Sequence, residues 1–413
     1  MHQPSLPRRL LFGAVAAASA MREAQAQRAQ AQQPAAPATE PAPTEIVEKR
    51  VFEGGAYRTR GGGTIPNVRF GYQTAGTLNE AGDNAVLITH FFSGNSHAFG
   101  RYTADGPVGY WDSIIGPGRA IDTNRYFVVS ADTLVNFNVR DGRTITTGPT
   151  TVNPASGRPF GLEFPVVSFR DFIEVQKLLL DKLNVKRLAL VGGASGGALQ
   201  AIEFAAAYPE IVDRVMPVIG GGEFDPWLIA WLDAWEAPIR LDPNWNNGDY
   251  YAAGREPPLR GLAEALKLIT LHSQDRPALA RHGRAFAPGQ DPSRNIRDRF
   301  AVERALDEAA LARARQTDAN HVLYLCRANQ LYLQEYPSTE AALSTSQARW
   351  LLVPSPTDRV FLMDYNRELM ALLQKIGRPV EMAELSGPFG HLNGVIAAHI
   401  GAVAPRIAAF MAA

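Results

Sequence analysis

Arg187-Leu-Ala-Leu-Val191 is a short apolar run of strand length, and Gly192-Gly193-Ala194-Ser195-Gly196-Gly197 follows it. Next comes Ala198-Leu-Gln-Ala-Ile-Glu-Phe-Ala-Ala-Ala207, built from good helix formers with an apolar repeat. Ser195 therefore sits in a G-x-S-x-G pattern, Gly193 to Gly197, on a turn from strand to helix. So sharp a turn needs glycine on both sides of the serine, because a Cβ there would collide with neighbouring backbone. It lifts the hydroxyl above the sheet and leaves it at a helix N-terminus, where backbone N–H groups can hold a developing oxyanion. Taken alone, the same residues also fit a glycine-rich turn whose serine caps a helix.

Outward from this point, short apolar runs alternate with helical patterns. The predicted strands are Val68–Tyr72, Ala85–His90, Tyr126–Ser130, Arg187–Val191, Val215–Ile219, Arg349–Val353 and Val380–Leu385. Helical patterns cover Ser168–Leu183, Ala198–Tyr208 and Met363–Ile376. This alternation predicts a mostly parallel sheet flanked by helices. It lapses over 224–346, a helical, loop-rich stretch expected to form a lid between core parts 46–223 and 347–413.

A serine nucleophile needs a base and an orienting acid. Asp358 follows the predicted strand Arg349–Val353, and His391 follows Val380–Leu385, so both leave the sheet at the same edge as Ser195. The order Ser, Asp, His is the one this turn motif predicts. His391 would take the serine proton and Asp358 would hold its tautomer. The N–H of Gly196 and that of Phe92, in the loop after an early strand, are the expected oxyanion donors. His90 and His97 flank that loop and read best as structural histidines.

Of 413 residues, 46% are hydrophobic and 20% charged, with Lys plus Arg matching Asp plus Glu at 41 each. That balance favours neither nucleic acid nor an anionic membrane as a partner. The single cysteine, Cys326, excludes an intramolecular disulfide and any multi-cysteine metal site. No metal or cofactor is expected, and no apolar run reaches the ~18 residues of a membrane span. Arg8-Arg9, the apolar Leu10–Met21 and Ala24-Gln25-Ala26 have the layout of a secretory signal over 1–26, the paired arginines suggesting the twin-arginine type. Residues 27–45 read as a disordered Ala/Gln/Pro linker, and the mature protein as periplasmic or secreted.

Trp111-Asp-Ser-Ile-Ile-Gly-Pro-Gly118 with Ala120–Phe127, Asn153-Pro-Ala-Ser-Gly157 leading to Phe164–Val167, and Asp242-Pro-Asn-Trp245 before Gly248-Asp-Tyr250 carry a further signal. Through them the chain from Val51 onward resembles the homoserine O-acetyltransferase family. The resemblance implies an α/β-hydrolase fold, nucleophile, acid and base roles for Ser195, Asp358 and His391, and a homodimer as the candidate assembly. It also implies an Asp directly after the catalytic histidine, which binds the homoserine amine, and a lid Arg–Tyr pair. Here Leu392 stands after His391, and Ala263–His272 offers no such pair.

A zwitterion buried without partners for its charges loses several kcal/mol. With acyl-CoA confined to the cytosol, the expectation is therefore a serine ester hydrolase acting on a small neutral or apolar ester. An acyl-CoA-dependent O-acyltransferase, an amidase or C–C bond hydrolase, and an inactive binding protein are the alternatives. Trp227, Trp231 and Trp235, four residues apart, form an aromatic stripe on a lid helix. With Phe91, Phe92 and Leu392 they are the expected substrate contacts.

Overall fold

The computed structural model describes residues 44–413. The expected signal segment, 1–26, and most of the expected linker, 27–45, lie outside them. The linker ends sooner than its composition suggests: Thr44 bonds to Asp112 at 3.1 Å and Glu45 to Thr123 at 3.1 Å.

The strands are β1 (Arg50–Arg58), β2 (Thr64–Ala75), β3 (Ala85–Thr89), β4 (Ile115–Gly116), β5 (Ile121–Asp122), β6 (Phe127–Ala131), β7 (Leu188–Ala194), β8 (Arg214–Val218), β9 (Arg349–Leu352) and β10 (Val380–Met382). All but β4 and β5 form one eight-stranded sheet, ordered β1-β2-β6-β3-β7-β8-β9-β10. Pairings from β6 to β10 are parallel, whereas β1–β2 and β2–β6 are antiparallel. The continuous apolar runs of β3 and β7 are buried along their whole length, as strands covered on both faces must be. Alternation divides them between two cores: Leu87 packs with Phe70 and Phe204, while Val86 and Ile88 pack with Met216 and Phe410.

On the sheet lie helices α1 (Phe169–Lys182) and α2 (Gly196–Ala207). The segment 224–346 holds α3 (Pro226–Leu241), α4 (Leu259–Ser273), α5 (Arg276–Leu279), α6 (Ala301–Ala314), α7 (Ala319–Gln330) and α8 (Thr339–Leu343). Its one strand-like contact is an isolated bridge, Phe286 to Phe300. Asp225 starts α3 by accepting the Leu228 N–H at 3.0 Å, with Pro226 in the first turn. Helix α9 (Met363–Lys375) joins β9 to β10, and α10 (Ala397–Ala402) and α11 (Ala404–Ala412) follow β10. This is an α/β-hydrolase architecture, with the helical insertion between β8 and β9.

Candidate active site

Ser195 links β7 to α2 with φ 56° and ψ −120°. For a residue with a side chain, such a backbone costs ~1–3 kcal/mol and persists only where its surroundings enforce it. They do so here, because Gly193 and Gly197 let the turn close onto β3. A Cβ on either would run into the Thr89 backbone, and Thr89 Oγ1 donates to the Gly197 carbonyl at 2.7 Å.

The structure brings Ser195, His391 and Asp358 together from three separate strand ends. His391 Nε2 lies 2.7 Å from Ser195 Oγ, and His391 Nδ1 lies 2.7 Å from Asp358 Oδ2. Exposure is 8% for the serine, 7% for the histidine and 4% for the aspartate, so all three are largely withdrawn from bulk solvent. Asp358 Oδ1 accepts the N–H groups of Val360 at 2.8 Å and Phe361 at 3.1 Å. That fixes the carboxylate with Oδ2 towards the imidazole and makes Nδ1 the protonated nitrogen, leaving Nε2 as a lone pair facing the serine. His391 rides on a 3-10 turn, Gly390–Gly394. Buried Trp111 anchors this turn by donating from Nε1 to the Gly394 carbonyl at 2.8 Å.

A Cβ built on Gly196 would stand 3.7 Å from the Phe92 nitrogen, so the two proposed oxyanion donors are neighbours. The Phe92 N–H makes no other backbone hydrogen bond among the described residues. Behind it His90 is buried, and burial lowers its pKa. Its Nδ1 donates to the Phe91 carbonyl at 2.8 Å, and Nε2 accepts from Asn136 Nδ2 at 3.3 Å. His97 stacks on Tyr102 and donates to the Pro107 carbonyl at 3.0 Å, a packing role.

Ser195 and His391 open into a cavity of about 610 Å³ whose walls include Phe91, Phe92, Trp231, Trp235 and Leu392. Trp235 meets the Phe92 ring edge-on at 5.7 Å. Trp227 is the exception: it is 53% exposed and does not reach the cavity.

Several wall residues carry no signal in the sequence. Phe361 lies 6.1 Å from the His391 ring. His272 stacks on Trp231 at 3.9 Å and donates from Nε2 to the Arg359 carbonyl at 2.9 Å, with its pKa pushed down to about 4 by burial. His272 falls inside the apolar pattern of α4, and no local signal marked it.

Among proteins of known family, the alpha/beta hydrolase fold family matches residues 140–381. A homoserine O-acetyltransferase of Symbiobacterium thermophilum is 39% identical over 336 residues, 80% of this chain and 85% of that protein. The crystal structure of esterase E22 is 43% identical, with a TM-score of 0.85, over 89% of this chain and 100% of that one. That of homoserine O-acetyltransferase from Bacillus anthracis is 33% identical, with a TM-score of 0.83, over 89% and 98%. Acyl transfer through an acyl-enzyme can run on a nucleophile, a base and an acid placed as these three residues are. The chain is an α/β-hydrolase-fold enzyme of Ser-His-Asp type and belongs, as a divergent member, to the homoserine O-acetyltransferase-like family.

Proposed function

We propose that this enzyme hydrolyses a small carboxylic ester through an acyl-enzyme on Ser195. Oγ attacks the ester carbonyl as His391 Nε2 takes its proton, and the Phe92 and Gly196 N–H groups hold the oxyanion. The C–O bond to the alcohol then breaks, with His391 returning the proton to the leaving oxygen. Water, deprotonated by His391, attacks the acyl-enzyme, and collapse of that intermediate releases the carboxylic acid and restores the serine.

The observation that carries this reading is that the described residues of the cavity wall offer no free carboxylate to a substrate ammonium group. Leu392, next to the catalytic histidine, is a wall of the cavity. The one carboxylate among the described lining residues is Asp141. Its oxygens already accept from the Arg143 and Thr144 N–H groups, Thr144 Oγ1 and Asn95 Nδ2. The name of esterase E22 supports the same reading, as does the export expected from residues 1–26, beyond which water is the abundant acceptor.

The curated relatives' names favour a second reading, acyl transfer from acyl-CoA to homoserine. One experiment separates the two: release of acid from acetate esters by the purified protein, with and without acetyl-CoA and homoserine. Steady hydrolysis unaffected by either compound supports the esterase. Acetylation of homoserine faster than any hydrolysis would replace it with the transferase. Mass spectrometry of protein from its native host tests export, expecting an N-terminus near Gln27.

A further inference from the structure

Helix α6 fronts the cavity with Leu306, Ala309, Ala310 and Arg313. The spacing i, i+3, i+4, i+7 is that of one helix face. The first three are what a face turned towards an apolar cavity calls for, and the fourth is a cation. Nearby, Arg299 pairs with Asp307 and Arg304 with Glu308. Arg313 has no carboxylate within 4.0 Å among the described residues. Its single hydrogen bond runs from Nη1 to Thr270 Oγ1 at 2.9 Å, which leaves most of its five donors open. Burial drags its pKa below the ordinary value and no neighbouring charge raises it, yet an arginine remains charged under all working conditions. A partly desolvated guanidinium without a counter-charge is costly, and an anion entering the cavity relieves that cost. Asp141, the other charged residue of the wall, has its oxygens committed to its own turn.

We propose that Arg313 is an anion subsite and that the ester cleaved at Ser195 bears a carboxylate or comparable acidic group elsewhere on the molecule. This rests on the ester-hydrolase reading and narrows it. The surroundings of the reacting carbonyl remain apolar, while the substrate as a whole is not neutral.

The test compares kcat/KM of the full purified enzyme within matched pairs of esters. 4-Nitrophenyl hexanoate against mono-4-nitrophenyl adipate, a diacid long enough to avoid attack of its own carboxylate on the ester, places the charge on the acyl half. Methyl 4-acetoxybenzoate against 4-acetoxybenzoate places it on the alcohol half. One pair is expected to favour the anion by about ten- to a hundredfold, the range for hydrogen bonds to a charged group. Arg313→Gln brings that ratio close to one, and Arg313→Lys, which keeps the charge, retains part of it. Hydrolysis of the neutral esters with neither anion favoured overturns the subsite and leaves the esterase standing. No hydrolysis of any ester overturns the esterase itself. Inhibition by acetyl-CoA that vanishes in Arg313→Gln, with no gain for either anionic ester, assigns the arginine to thioester phosphates and likewise overturns the proposal.

Discussion

The imidazole of His90 grips the carbonyl of Phe91 at 2.8 Å, and that carbonyl shares a peptide unit with the Phe92 N–H. The Gly94 N–H reaches the same oxygen at 2.8 Å. Two donors on the oxygen fix the plane of the peptide and draw electron density from its nitrogen, so the N–H is aimed and strengthened as an oxyanion donor. Asparagine carries its amide nitrogen close to where histidine carries Nδ1. His90→Asn should therefore keep most of kcat, whereas His90→Leu lowers it by about ten- to a hundredfold, less than loss of the donor itself. KM should move little in either variant. Equal losses in the two would mean that the ring matters only for its bulk.

Ser195→Ala should lower kcat by about 10⁶, as loss of a triad nucleophile does elsewhere. Asp358→Asn should cost on the order of 10⁴, because an amide in place of the carboxylate leaves His391 in the wrong tautomer. Steady-state assays on the best ester of the panel measure both. A serine variant that keeps substantial activity would show that the nucleophile lies elsewhere.

The three tryptophans of α3 should not behave alike. Trp235→Ala removes a wall of the cavity beside Phe92 and should lower kcat/KM for aromatic esters by about ten- to a hundredfold, the value of one buried ring. Trp227→Ala, at a residue 53% exposed, should leave kcat/KM within a factor of two. Comparable losses in both would mean that the stripe acts by holding the lid rather than by touching substrate.

Stability should fall in mild acid. Burial depresses the pKa of His272 to about 4, and lowers those of His90, His97 and His321. Above pH ~6.5 these side chains are neutral in both the folded and the unfolded chain and contribute no slope. Between that pH and the folded pKa values, the unfolded chain binds protons that the folded one refuses, so each step of acid favours unfolding. For His272 the effect saturates below about 4, at roughly 3 kcal/mol. Urea midpoints measured from pH 7.5 down to 4.5 should decline through this window, and a flat profile would contradict the assignment.

Much of this was legible because strands buried on both faces cannot avoid being apolar runs. β3 and β7 stand out in the sequence, and the turn after β7 betrays itself by its glycines. β1 was not legible: Gly54 and Gly55 interrupt it, its register slips near Gly55, and its outer face is exposed. The tryptophan stripe shows why a periodicity argument can run too far. A spacing of four residues overshoots a full helical turn by about 40° at each step. Trp227 therefore points about 80° away from Trp235 and stands about 12 Å further along the axis. His272 and Arg313 were invisible for a different reason: each belongs to an apolar helix face that meets the cavity only once the lid is folded.

β8 and β9 are neighbours in the sheet, paired in parallel at Val215 and Trp350. A crossover between parallel neighbours needs only about a dozen residues. The connection here runs through α3 to α8, so nearly all of it is surplus to what the sheet demands. Ser195, Asp358 and His391 all lie outside that surplus. The reacting groups and much of the wall that meets the substrate are thus carried on separable stretches of chain. Mutation can lengthen, trim or rewrite the second while the first is passed on intact, and two relatives can share one chemistry yet serve different substrates.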